Sequence, residues 1–232
     1  MRRFVLAAAA LLAAPAAARA QTVTSLSNDA AYNALLAAGT FTKFFGGQAR
    51  AGRAGAADWE YAVVNNTGAA TLSPTGEVDW AADAVRDFRF AWTGTQASML
   101  VDGADGVRTA TVGAPAGGSV NAIVFRSLAS GTGVVGGFSS NLLVTFLSGG
   151  STTIGGFLGD ADAEYRVLVD ARLAGGFTVT GEGTVQGRTG GSNPMYEFKV
   201  GQASVVPEPS TYALFAAGLA GVAGVARRRR TR

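Results

Sequence analysis

The chain has 232 residues, 48% of them hydrophobic and 15% charged, with a formal net charge of +3; that length suits one globular domain plus flanking segments. It contains no Cys and no His, which excludes disulfides, thiol nucleophiles, Cys- or His-based zinc sites and Ser-His-Asp catalysis. Glycine is abundant at 33 residues, about twice its average usage.

The N-terminus opens with Met1-Arg2-Arg3, continues as an apolar run from Phe4 to Ala18 broken by Pro15, and reaches Ala18-Arg19-Ala20-Gln21. A positive start, a short apolar stretch and a small-x-small site predict a secretory signal peptide over residues 1–20. Cleavage is expected between Ala20 and Gln21, with Ala18 and Ala20 as the small residues. The run has no polar face, which argues against an amphipathic helix packed on the domain.

The stretch from Asn28 to Gly39 carries helix signals, an Asn cap and a terminal Gly. Beyond it the apolar residues alternate, as in Trp59 to Val63, Phe88 to Trp92 and Tyr165 to Val169. Further strand-like runs are Ala97 to Val101, Val107 to Val112, Val120 to Phe125, Leu142 to Leu147, Phe177 to Thr180 and Met195 to Val200. Turn dipeptides separate them: Asp102-Gly103, Asp105-Gly106, Gly149-Gly150, Gly175-Gly176 and Gly190-Gly191. The pattern predicts an all-β domain over residues 21–205, an antiparallel sandwich or jelly-roll-like fold of about ten strands with one short N-terminal helix.

Charge placement removes a nucleic-acid reading. Eight of the 19 basic residues lie in the two ends, leaving eleven against all 16 acidic ones over residues 21–210. The domain is acidic and offers no basic face.

Acidic clusters are the first candidates for chemistry. Asp160-Ala161-Asp162-Ala163-Glu164 and Asp102-Gly103-Ala104-Asp105-Gly106 resemble cation-binding loops in composition but lack an EF-hand's Gly and distant Glu. They read as solvated loop carboxylates. Asp58, Glu60, Glu77, Asp79, Asp83 and Asp87 fall near Trp59, Trp80 and Trp92, a combination that suits sugar binding or two-carboxylate hydrolysis. Tryptophans at alternating strand positions also read as packing. Gly131-Thr132-Gly133-Val134-Val135-Gly136 fits the dinucleotide pattern letter for letter, but no helical pattern follows to receive a phosphate. No catalytic residue, cofactor or metal site is expected, and the chain is not expected to be an enzyme.

The C-terminal segment, residues 206–232, has three parts. Val206-Pro207-Glu208-Pro209-Ser210-Thr211 precedes fifteen uncharged residues, Tyr212 to Ala226, and then Arg227, Arg228, Arg229 and Arg230 ahead of Thr231-Arg232. As a helix, 212–226 spans roughly 22 Å, short of the ~30 Å of hydrocarbon core, with arginine snorkelling covering part of the deficit. The arginine run predicts a stop-transfer signal left in the cytoplasm. Pro207 and Pro209 hold the backbone extended around Glu208, the form a processing enzyme needs.

This three-part order resembles the PEP-CTERM sorting signal. The resemblance implies Pro207, Glu208 and Pro209 as recognition residues for exosortase, a multi-spanning membrane enzyme with a cysteine-based active site. It implies a Gram-negative, exopolysaccharide-secreting setting. It also implies export, transient anchoring in the inner membrane with the domain in the periplasm, and delivery to the surface or exterior. The expected partners are the export machinery, exosortase, the inner membrane before processing, and exopolysaccharide. The expected role is structural or adhesive; the alternative is a carbohydrate-binding or carbohydrate-cleaving extracellular domain.

Overall fold

The computed structural model describes residues 21–51, 61–65, 71–78, 80, 84–114, 117–128, 135–159, 163–186 and 193–204. Among them, fifteen strands and one α-helix form two antiparallel sheets face to face, which bears out the sandwich expected from the alternating runs.

The first sheet contains β1 (Thr22–Leu26), β2 (Phe41–Ala51), β3 (Tyr61–Asn65), β4 (Thr71–Gly76), β8 (Ala122–Ser127), β13 (Glu164–Val169) and β15 (Asn193–Ala203). Their order is β1-β13-β8-β15-β2-β3-β4. The second sheet contains β5 (Ala84–Trp92), β6 (Gln96–Val101), β7 (Arg108–Thr111), β10 (Leu142–Phe146), β11 (Ser151–Ile154) and β14 (Phe177–Gln186). Its order is β11-β10-β14-β5-β6-β7. Two short strands, β9 (Val135–Phe138) and β12 (Phe157–Leu158), extend it, with β9 pairing the upper half of β14.

Alternation sorts each strand into a core face and an outer face. Tyr196, Phe198 and Val200 of β15 point inward, while Glu197 and Lys199 between them point outward. Phe88, Phe90 and Trp92 of β5 meet them from the other sheet. Phe90 stacks on Phe198 at 4.9 Å, and Phe88, Phe125, Phe138 and Tyr196 close around that pair. With no disulfide available, this aromatic burial holds the two sheets together.

Strand β2 departs from strict alternation. A register shift opposite Val200 and Gly201 admits one extra residue, so Phe44 and Phe45, adjacent in sequence, both reach the core. The backbones are crowded here. A Cβ on Gly46 would sit 2.0 Å from the Phe198 carbonyl oxygen, and one on Gly201 would sit 1.9 Å from that of Thr42. Glycine is therefore the residue that lets β2 and β15 pair along their length.

The α-helix, α1 (Asp29–Ala37), lies on the outer face of the first sheet. Asn28 caps it, its side-chain oxygen accepting from the Ala31 amide at 2.9 Å. Gly39, at φ 65°, ends it. Both ends agree with the sequence signals. No helix among the described residues is long and apolar enough to cross a membrane; residues 212–226 lie outside them.

Candidate functional site

Strand β15 carries the chain out of the domain from the middle of the first sheet, between β8 and β2. Its last residues are held on both sides. The Asn121 carboxamide donates to the Ala203 carbonyl at 2.9 Å and accepts from the Ala203 amide at 2.7 Å. The Ser204 amide donates to the Thr40 carbonyl at 2.9 Å. Pro207, Glu208, Pro209 and Arg227 to Arg230 lie outside the described residues, as do Ala18 and Ala20. Gln21, expected to follow the cleavage site, immediately precedes β1 at the same end of the sandwich: its carboxamide donates to Thr152 and accepts from Arg172 at 3.1 Å.

Beneath α1 the outer face of the first sheet holds a charged cluster that the sequence reading missed. Arg126 and Glu197 are directly opposed on β8 and β15 and pair at 3.1 Å. Lys199 also bonds Glu197. Arg126 reaches Asp29 at the helix start at 3.1 Å, and Asp29 accepts from the Tyr165 hydroxyl. Tyr32 of α1 stacks on Tyr165 at 5.0 Å and covers Lys199, whose Nζ sits 5.6 Å from the ring. Burial pushes the Glu197 carboxyl up, but Lys199 and Arg126 outweigh it and hold the group below its ordinary value. Lys43 has less compensation. Burial and the repulsion of Lys199 push its ammonium down to about 8. Every partner here is internal, and the helix covers the cluster, which makes it a structural lock for α1. Its sequence trace was the pair Glu197 and Lys199 at alternate positions, a pattern a solvated strand face gives equally well.

Of the two readings of the tryptophans, packing holds for Trp80 and Trp92, and the sugar-stacking one does not. Trp80 is 7% and Trp92 3% exposed, and both belong to the central core. Neither presents a ring face to a sugar. The core's demand for large inward-facing side chains placed them there, while Glu77 and Asp87 point to solvent. Trp59, Asp58, Glu60, Asp79 and Asp83 lie outside the described residues. The acidic turn after β6 is not simply solvated either. Asp105 accepts from the Tyr61 hydroxyl at 2.9 Å and the Glu77 amide at 3.2 Å, and pairs with Arg108. This latches β3, β4 and β7 together, and burial followed by the Asp105 bond pushes the Tyr61 hydroxyl up to about 12. Of the second acidic stretch, Asp160 and Asp162 lie outside the described residues and Glu164 pairs with Arg166. The glycine pattern ending at Gly136 runs into β9, a strand rather than a helix.

The outer face of the second sheet has no covering element among the described residues. Register places Ser151, Thr145, Thr178, Ala91, Ser98 and Thr109 in one row across six strands. Five of the six carry hydroxyls, each able to donate and accept, spaced by the inter-strand distance of ~4.8 Å. A depression of about 560 Å³ opens at the interruption between β9 and β10, lined by Ser139, Ser140, Asn141 and Phe157 among others.

No curated protein matches the chain. A family model described as the PEP-CTERM protein-sorting motif matches residues 205–230, beginning immediately after Ser204. That motif implies export, processing by exosortase and sorting to the cell surface. A β-sandwich whose central strand ends just ahead of this segment, the chain carries a PEP-CTERM protein-sorting motif at 205–230.

Proposed function

We propose that the mature protein is a non-enzymatic surface or extracellular-matrix component of structural or adhesive type, associated with exopolysaccharide in a Gram-negative bacterium. The observation that carries this reading is the sorting motif at 205–230. Around it, residues 1–20 serve as the signal peptide and 212–226 as a transient inner-membrane helix. Arg227, Arg228, Arg229 and Arg230 hold the tail in the cytoplasm while the domain stands in the periplasm. Pro207 and Pro209 present Glu208 in extended backbone to exosortase.

The bare hydroxyl row of the second sheet favours sugar contact over other adhesive surfaces. Serine and threonine hydroxyls exchange donor and acceptor roles with sugar hydroxyls at little cost in side-chain order, and they carry no charge to be desolvated. Tryptophan stacking by Trp80 or Trp92 has no part in this.

Mass spectrometry of the protein from cells with and without exosortase tests the sorting claim. The expected product lacks the segment ending at Arg232 only when the enzyme is present; an identical full-length species in both overturns it. Co-sedimentation with the host's exopolysaccharide tests the adhesive claim. Thr145→Glu with Thr178→Glu is expected to abolish it, and unchanged or absent binding by the wild type removes the polysaccharide reading.

A further inference from the structure

The two ends of the sandwich differ in a way that bears on how the tail is read. At the end where β15 leaves, the described connections are 38–40, 93–95, 112–114, 117–121, 147–150 and 170–176. Their only charged residues are Asp170 and Arg172, which neutralise each other at 2.6 Å. The opposite end carries Glu77, Asp102 and Asp105 in its described turns. In the connection from β7 to β8, the described stretch 117–121 lies against β15, the Asn121 amide donating to the Gly201 carbonyl at 3.1 Å. It thus borders the exit of β15, and the Ser119 amide bonds the Gln202 side chain at 3.4 Å.

The tether is short. Only three residue steps separate Ser204, fixed by Thr40, from Pro207, a reach of at most ~10 Å. An enzyme gripping Pro207-Glu208-Pro209 has no room to avoid the folded domain. Resting on the sorting reading above, we propose that this exit end, which carries no net charge in its described connections and has Thr40 and Ser119 beside β15 and Gly39 and Gly113 at the same end, is a docking surface for the membrane-embedded processing enzyme. Small uncharged residues there let the enzyme and the bilayer surface approach closely without desolvating an ion, while the acidic turns face away.

The test is the ratio of processed to precursor protein for the full chain in cells containing exosortase. Ser119→Glu is expected to lower that ratio several-fold. Gly113→Glu is expected to do the same, and it should fold, because a side chain there meets nothing within 4 Å. Gly155, at the opposite end, is equally open, so Gly155→Glu should process at the wild-type rate. A flexible glycine-serine linker inserted after Ser204 should restore processing of Ser119→Glu. Protease resistance of each precursor checks folding. Folded Ser119→Glu and Gly113→Glu precursors processed at the wild-type rate would overturn the proposal. So would faster processing of Ser119→Lys, which would mean attraction to lipid headgroups rather than fit to the enzyme. Replacing Pro207, Glu208 and Pro209 with alanine separates the two claims: loss of processing there with none in the exit-end variants removes only the docking surface, whereas normal processing removes the sorting reading itself.

Discussion

The two sheets show opposite treatments of an outer face. The first sheet's face is covered by α1, and beneath the helix Arg126 and Lys199 are drawn out of water and bound to Glu197, with the buried Lys43 feeling the charges of Glu197 and Lys199. Among the described residues nothing covers the second sheet's face, which presents Ser151, Thr145, Thr178, Ser98 and Thr109. Charges suit the covered face because a fixed helix can satisfy them with defined partners. Hydroxyls suit the open one, because they bind without needing a particular counter-ion. The covered face is committed to stability, and the open face is available for contact.

Substitutions on the two faces should separate accordingly. The largest effect is expected from Glu197→Ala, which leaves Arg126, Lys199 and Lys43 without their shared carboxylate; breaking such a buried pair costs about 3 kcal/mol, read by denaturant unfolding. Tyr32→Ala removes the ring over Tyr165 and Lys199 and should cost about 2 kcal/mol, with helix content falling in circular dichroism. Lys43→Met should raise stability at neutral pH by about 1 kcal/mol, allowing for partial solvent screening of the ammonium. That gain has a defined pH window. The folded state holds the Lys43 proton less tightly than the unfolded chain, so wild-type stability rises between about 8 and the ordinary 10.5, and the variant's advantage disappears across that range. On the acid side the sign reverses for Glu197: its lowered carboxyl stabilises above the ordinary 4.5, and that contribution is lost as pH falls further. The smallest effect is expected on the open face, where Thr178→Val should change stability by less than about 0.5 kcal/mol. A large loss there, or none at Glu197, would break the contrast between the faces.

How much of this could be read beforehand followed from how locally each feature is determined. The run Phe88-Arg89-Phe90-Ala91-Trp92 announces β5 because its pattern repeats every second residue. The helix is legible from Asn28 and Gly39, since caps are local. Strand β2 is not: Phe44-Phe45-Gly46-Gly47 looks like a break until the bulge and the close approach of β15 are known. Strand β4 hides behind Pro74, and β9 behind a glycine pattern borrowed from another chemistry. Of the candidate sites, the sorting motif was legible because its three parts are contiguous. The fate of Trp80 and Trp92 was not, because alternation says that a residue is on a face without saying which face is covered. The charged cluster needed α1 to be placed on the sheet, a contact between Asp29 and Arg126, which are 97 residues apart.

The position of β15 has a mechanical consequence. Any load applied at the C-terminal side of the domain passes through that strand. Tension on Ser204 pulls along β15, whose bonds to β8 and β2 run across the direction of pull. Those bonds are loaded in shear, together and from both sides. Had the tail left from an edge strand such as the five-residue β1, the same force could peel one ladder a bond at a time. Pulling single molecules from Ser204 and from Gln21 should reveal that difference as a higher rupture force at Ser204, which gives the domain a strong handle at its C-terminal end.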